Sequence, residues 1–409
     1  MKKILIICDA FPPAFAPRMG YLCQKLEQNH NLELTVVTPN NGDGKCNIQT
    51  KRTTIHTIEL LYCKTKIGKK IEWIFSFILT LFFDYKSWIF TRKTRRAIKN
   101  ETFDVILCST YYTFPLPTAA QIAKEQNIEF IADLRDIAEE YTESDFYVHS
   151  LPTIFGLEKY ISLFYKHVSI KRRNKNLKKA KHVTTISPWH VNIISKINPK
   201  TSLIFNGFDE NVFKPQTIKT EKFTITYTGR IYNLSIRNPL LFFEGIQELL
   251  TENPDLQKDL QIEWYVDSKT EDLIRSLSSK YDIEKYTIIS PFIPISQIPE
   301  LLNRSSIVLI VTNKTSENGA KGIMTTKFFE ALGCERPILC VRSDEADLEQ
   351  TINETKAGIA ARNTQEIKNF ILSKYKEWQA QRFTNQDVDK EKKKQFSRSY
   401  QAQQFLKIL

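Results

Sequence analysis

The chain has 409 residues, 42% hydrophobic and 25% charged, with a formal net charge of +12. That length exceeds what one hydrophobic core organises, so two domains are expected, and the balanced composition excludes disordered and fibrous classes. The longest apolar run, Trp73 to Phe83, covers eleven residues against roughly 20 for a bilayer crossing, so no transmembrane segment is expected.

Met1-Lys2-Lys3 followed by Ile4–Cys8 imitates a signal peptide, but Asp9 and Pro12-Pro13 cut the stretch short, and it reads as a buried first strand, Lys3–Cys8. Further aliphatic runs at Leu32–Val37, Val105–Cys108, Glu129–Asp133, His182–Ile186 and Ser202–Phe205 alternate with helical periodicity. Runs that are apolar on both faces specify a parallel sheet covered by helices on both sides. Past Lys214-Pro215 the pattern restarts with Phe223–Thr228, Gln261–Val266, Tyr286–Ile289, Ser306–Val311 and Pro337–Val341, separated by helices such as Pro239–Leu250 and Thr326–Leu332. The reading is α/β: two doubly wound, Rossmann-like domains, residues 1–206 and 207–389, with a hinge near 207–222 and a C-terminal helix over 390–409 completing the first. Ligands of such sheets bind beyond the carboxyl ends of the strands, so the two domains are expected to face each other across a cleft that holds the site.

Several function classes fall away. Neither GxGxxG nor GxxxxGK[ST] occurs, which counts against a dehydrogenase and a P-loop enzyme. Seven cysteines, an odd number without a CxxC pair, argue against a disulfide framework and a zinc site and fit a reducing cytoplasm. All six histidines are isolated in sequence and read as structural or surface residues. The charge is concentrated: residues 64–99 hold ten Lys/Arg against Glu72 and Asp84, and residues 166–181 hold eight against none, so these segments carry +16 and the remainder −4. No nucleic-acid-binding motif accompanies them, and a nucleic-acid partner is not expected.

Six stretches match one pattern in order and spacing: Phe11-Pro12-Pro13 with Pro17-Arg18-Met19-Gly20 and the Leu22–Leu26 helix; Phe103–Ile106 leading to Pro115 and Pro117; Phe130–Asp133 leading to Asp136; His182–Ser187 leading to Asn206-Gly207-Phe208-Asp209; Thr224–Thr228 ending in Gly229-Arg230; and Lys327-Phe328-Phe329-Glu330-Ala331-Leu332-Gly333-Cys334-Glu335-Arg336-Pro337-Ile338. Together they resemble glycosyltransferase family 4. The resemblance implies a GT-B fold and transfer of a sugar from a nucleotide-sugar donor to a lipid-linked or cell-surface polysaccharide acceptor, with retention at the anomeric carbon and no separate cofactor. It places the donor on Gly229, Arg230, Arg237, Thr325, Thr326, Lys327 and Glu330, and the acceptor side on Arg18, Gly20 and Asp136.

The chemistry gives these residue types reasons. A nucleoside diphosphate leaves as an anion, and without a metal the protein must supply cations and N–H donors where charge develops. Arg230 and Lys327, with Arg237, provide the cations, and the Thr325-Thr326 amides open a helix that offers an anion site. Glu330 would accept from the ribose hydroxyls. Family members carry a second glutamate eight residues before this one, where this chain has Gly322; Glu317 is the nearest candidate for that catalytic role. The aromatic run Trp73–Phe83, flanked by Lys69, Lys70, Lys86 and Arg92 to Arg96, reads as a helix that docks on an anionic membrane from the cytoplasmic side, the alternative being a buried core helix. A non-catalytic GT-B protein that binds a nucleotide-sugar or glycan in a membrane assembly is the second functional reading.

Overall fold

A computed structural model describes residues 1–41, 44, 46–60, 63, 65–141, 158–231, 234–315 and 321–409. Strands β1 (Lys2–Cys8), β2 (Leu32–Pro39), β3 (Thr54–Ile58), β4 (Val105–Thr110), β5 (Glu129–Leu134), β6 (His182–Thr185) and β7 (Thr201–Leu203) form a seven-stranded sheet in the order β3-β2-β1-β4-β5-β6-β7. Every pair in it is parallel. Ile4 to Cys8 are fully buried, as are Ile106 to Cys108. Two faces are thus covered, and one buried aliphatic side chain contributes roughly 1.5–3 kcal/mol. The order reverses between β1 and β4, the switch point at which such sheets bind ligands.

A second sheet runs β10-β9-β8-β11-β12-β13, also parallel throughout. Its strands are β8 (Phe223–Thr228), β9 (Leu260–Tyr265), β10 (Thr287–Ser290), β11 (Ile307–Val311), β12 (Ile338–Val341) and β13 (Gly358–Ala361). Trp264 and Trp378, both inaccessible, anchor its core, with Phe243 stacked on Trp264 at 5.8 Å.

Two strands lie outside the runs that hydrophobicity marks. In β3, residues 54–57 are exposed or half-exposed and only Ile58 is buried, because it is an edge strand. Strand β13 starts on Gly358 at φ +154, where a Cβ would stand 2.0 Å from the Ile338 carbonyl oxygen, so no bulkier residue announces it.

The chain divides into two compact units, Met1–Phe205 with Gln401–Leu409, and Asn206–Tyr400. The returning segment belongs to the Arg398–Ile408 helix, whose Ala402 and Phe405 are buried in the first unit's core. The Lys390–Lys394 helix lies in the second unit.

Candidate functional site

In the second unit β8 ends at Thr228 and the chain turns at Gly229, whose φ is +121 and whose N–H donates to the Tyr265 carbonyl at 2.9 Å. The backbone angle favours glycine here. A Cβ would meet Lys327 Cε at 2.5 Å and Nζ at 2.6 Å. The lysine chain therefore lies across the turn, and its ammonium also sits 5.5 Å over the Tyr227 ring.

Lys327 and Glu330 occupy successive turns of the Thr326–Gly333 helix. That helix is fixed because Phe328, Phe329, Ala331 and Leu332 are inaccessible and pack it against β11 and β12. Both charged groups are partly buried. Burial, helped by Arg237, pulls the Lys327 ammonium down to about 7, with Glu330 opposing. Burial pushes the Glu330 carboxyl up to about 7, opposed by Lys327 and Arg398. The pair is thus poised between an ion pair and two neutral groups.

Arg237 reaches the turn as well and donates from Nη1 to the Arg230 carbonyl, which also accepts the Tyr227 hydroxyl at 3.1 Å. The Arg230 side chain goes elsewhere. Its Nε lies 3.1 Å from Asp267, and its guanidinium sits 5.4 Å over the Phe292 ring. Hydrogen bonds to Thr270 at the start of the Ser268–Lys280 helix hold the Asp267 carboxyl below its ordinary range. The structure thus brings Gly229, Lys327, Glu330 and Arg237 together and gives Arg230 a carboxylate partner that sequence reasoning missed. Arg230 is 48% exposed, and a pair so exposed contributes at most about 1 kcal/mol, so an anion can draw the guanidinium away.

Thr325 stands at the cap of the same helix without a side-chain cap bond, and Thr326 is exposed. First-turn N–H groups face out of such a terminus. Glu317 lies outside the described residues. The sequence contains one Asp-x-Asp triplet, Asp387-Val388-Asp389, the pattern with which a carboxylate pair can hold a divalent metal. Asp389 caps the Lys390–Lys394 helix through Lys392 N–H at 3.0 Å.

In the first unit, two of the three residues expected to face an acceptor are internal. Arg18 is 4% exposed and binds Asp133 with Nε at 3.1 Å and Nη2 at 2.8 Å. It also donates to the carbonyls of Phe205 at 2.8 Å and Ile204 at 3.0 Å. Asp133, fully buried, accepts from Ser109 and Thr184 at 2.8 Å each. A charge there persists only because every lone pair is used. Gly20 is inside the Pro17–Leu26 helix, where a Cβ would meet Pro12 Cγ at 2.8 Å, so its smallness serves packing. Asp136 accepts from the Tyr141 hydroxyl at 2.5 Å and Ile137 N–H at 2.7 Å, and burial pushes its carboxyl up to about 6. His190 Nε2 stands 3.9 Å from it, but burial, then Arg173, pull the imidazole down to about 3, so the contact is not an ion pair.

The Trp73–Phe83 run belongs to the Lys66–Phe83 helix, and the core-helix alternative fails for most of its face. Ile71, Phe75, Ile78, Phe82 and Phe83 are 47–77% exposed. Phe82 meets Phe164 at 6.1 Å, and Tyr160, Leu163 and Phe164 of the Glu158–Leu177 helix extend the exposed apolar surface. The basic run at 166–181 is not one solvated face. Arg173 is 1% exposed between Glu139 and Glu140, Lys166 donates to the Tyr141 carbonyl, and Lys181 pairs with Glu129. Among the described residues no single helix is long and apolar enough to cross a membrane; a bent pair, Ile71–Thr80 and Tyr85–Ala97, passes by length and composition.

Two all-parallel α/β units, each doubly wound, define the GT-B class of fold. Residues 269–407 match the family model described as glycosyl transferase-like, which makes this part of the chain glycosyltransferase-like. Over its whole length the chain is similar to the sucrose-phosphate synthase of Thermosynechococcus elongatus, at 12% identity and a TM-score of 0.63, covering 100% of this chain and 98% of that one. It is similar to HepE of Anabaena in complex with UDP and glucose at 14% identity and 0.63, covering 100% and 99%. It is also similar to the apo form of the lipopolysaccharide outer core galactosyltransferase WaaB at 12% and 0.58, covering 99% and 98%. At these identities the likeness is one of fold. No curated protein sequence shows significant similarity to the chain.

Proposed function

We propose that the protein is a glycosyltransferase that takes a sugar from a UDP-sugar. The observation that carries this reading is the Lys327–Glu330 pair beneath the Gly229 turn, in the part of the chain that is glycosyltransferase-like. The Lys327 ammonium, joined by Arg237 and by Arg230 once it leaves Asp267, neutralises the diphosphate, and first-turn N–H groups of the Thr326–Gly333 helix add donors. Glu330, as the carboxylate, accepts from the ribose. The UDP and UDP-glucose complexes of HepE support the choice of base.

The finer reading is retention at the anomeric carbon, no divalent metal, and an acceptor that is lipid-linked or part of a surface polysaccharide, reached at the cytoplasmic face of an anionic membrane. The exposed apolar surface of the Lys66–Phe83 helix supports the membrane contact. Calorimetric titration with UDP, followed by a screen of UDP-sugars for release of UDP, tests the proposal. Binding with turnover that persists in excess EDTA is expected. Absence of UDP binding overturns the donor site, and binding without turnover on any acceptor lipid favours a non-catalytic glycan-binding role.

A further inference from the structure

Two adjoining cavities open in the first unit, lined by none of the residues discussed as donor ligands. The smaller, about 260 Å³, lies at the switch point of the first sheet, where Asp9 follows β1 and Thr113 and Phe114 follow β4. Its polar lining includes Asp9, Asn41, Asp84, Lys86 and Arg172. Ligand pockets for drug-sized molecules run to about 300–1,000 Å³, so this one suits a small head group. Its carboxylates are already managed. Asp9 pairs with Arg135 and accepts from Tyr111 N–H at 3.0 Å, and burial raises the Asp84 carboxyl. Arg172 donates to the Thr80 carbonyl at 2.5 Å and lies 3.9 Å from Asp84. Carboxylates, cations, an amide and aromatic rings together form the donor and acceptor mix that a polyhydroxylated group uses.

The larger cavity, about 840 Å³, shares Asn41, Thr80, Lys86 and Tyr165 with the smaller and adds the polar Asn40, Glu59, Ser76 and Lys93 and the apolar Ile58, Leu60, Trp73 and Phe77. Trp73 and Phe77 stack at 5.9 Å along the Lys66–Phe83 helix, whose Phe75, Ile78, Phe82 and Phe83 are exposed. Lys86 stands at the joint between the two cavities. Its ammonium is 4.1 Å over the Phe114 ring, and Lys93 lines the larger cavity beside it.

We propose that the two cavities form one site for a single-chain amphiphile, with a polyhydroxylated head in the smaller, a phosphate at Lys86, and an apolar chain along Trp73 and Phe77. The order polar head, cationic neck and a wider cavity with Ile58, Leu60, Trp73 and Phe77 in its wall matches a sugar joined through phosphate to a lipid chain. This rests on the reading of the protein as a transferase with a lipid-linked acceptor, and it assigns that acceptor a place and a chemical class.

Farnesyl phosphate, farnesol and inorganic phosphate are the probes, titrated into the full-length protein against its tryptophan fluorescence. Farnesyl phosphate should bind about tenfold or more tighter than farnesol, and inorganic phosphate should not compete. Phe77→Asp should weaken farnesyl phosphate and farnesol alike by at least about tenfold, and Lys86→Met should abolish the preference for the phosphate over the alcohol. UDP affinity should be unchanged in both variants, which shows that they fold and that the donor site is intact. Dihexanoyl phosphatidylglycerol, a two-chain diester, should not displace farnesyl phosphate. Equal affinity for phosphate and alcohol in the wild type, indifference to both substitutions, or displacement by the two-chain lipid at equal concentration would overturn the assignment. UDP binding and turnover fail or succeed independently of these outcomes, so loss of the transferase reading is distinguishable from loss of this one.

Discussion

Lys327 and Glu330 are held one helical turn apart with their protonation balanced near neutrality, and a bound dianion would settle that balance. Beside a diphosphate the ammonium form of Lys327 is favoured, so UDP binding should take up a proton between pH 7 and 9 and weaken as pH rises through that window. Calorimetry in buffers of differing ionisation enthalpy measures the uptake. Stability follows the opposite logic on the two sides of pH 7. From pH 4.5 to 7 the folded chain holds the Glu330 proton that the unfolded chain has released, so the contribution falls as pH rises. From pH 7 to 10.5 the unfolded chain holds the Lys327 proton that the folded chain has lost, so the contribution rises. The pair therefore destabilises most near pH 7. Replacing it by Lys327→Met with Glu330→Gln should raise the melting temperature most there, as followed by circular dichroism. Gly229→Ala combines φ strain of about 1–3 kcal/mol with displacement of the Lys327 chain, so it should lower stability by that amount and UDP affinity about tenfold or more.

At the scale of elements, the Lys66–Phe83 helix separates two forces that a sequence run merges. Phe75 and Phe82 are 64% and 58% exposed, while Arg92 and Arg96 are exposed cations of the following Tyr85–Ala97 helix. Sedimentation with anionic vesicles should show Phe75→Ser with Phe82→Ser losing the salt-resistant part of binding. Arg92→Gln with Arg96→Gln should remove the salt-sensitive part, about 1 kcal/mol per cation. Arg95 is a poor choice for that test because it already pairs with Glu125. The helix was legible as an apolar run beside cations, but which of its residues meet solvent was not, since all-round hydrophobicity hides the inner stripe. The strands read well wherever both faces are buried, as in β1, β4 and β8. They read poorly at edge strands β3 and β13, where half-exposed Thr54–Thr57 and the glycine start of β13 leave little apolar signal.

At the scale of the molecule, two cores carry two separate duties. Arg18 and Asp133 are inside the first unit. Arg18→Met strands a buried carboxylate and should cost about 3–5 kcal/mol. UDP affinity, which the proposed function assigns to the second unit, should be unchanged, which denaturant unfolding and calorimetry together check. The Gly229 turn and the Lys327–Glu330 helix were legible because a glycine after a strand and a Lys-x-x-Glu helix keep their spacing in sequence. Arg18 was not, because its partner is 115 positions away and a buried salt link has no local pattern. The partition at Phe205 also makes the chain return, for Gln401–Leu409 packs in the first unit with Phe405 stacked 5.4 Å from the Arg18 guanidinium. During synthesis this imposes an order. The ribosome emits residues 1–205 first, yet Ala402 and Phe405 of that core emerge only after Asn206–Tyr400 have been made. The first unit is therefore the last to close, and until then the nascent chain presents an unfinished apolar seam to chaperones and proteases.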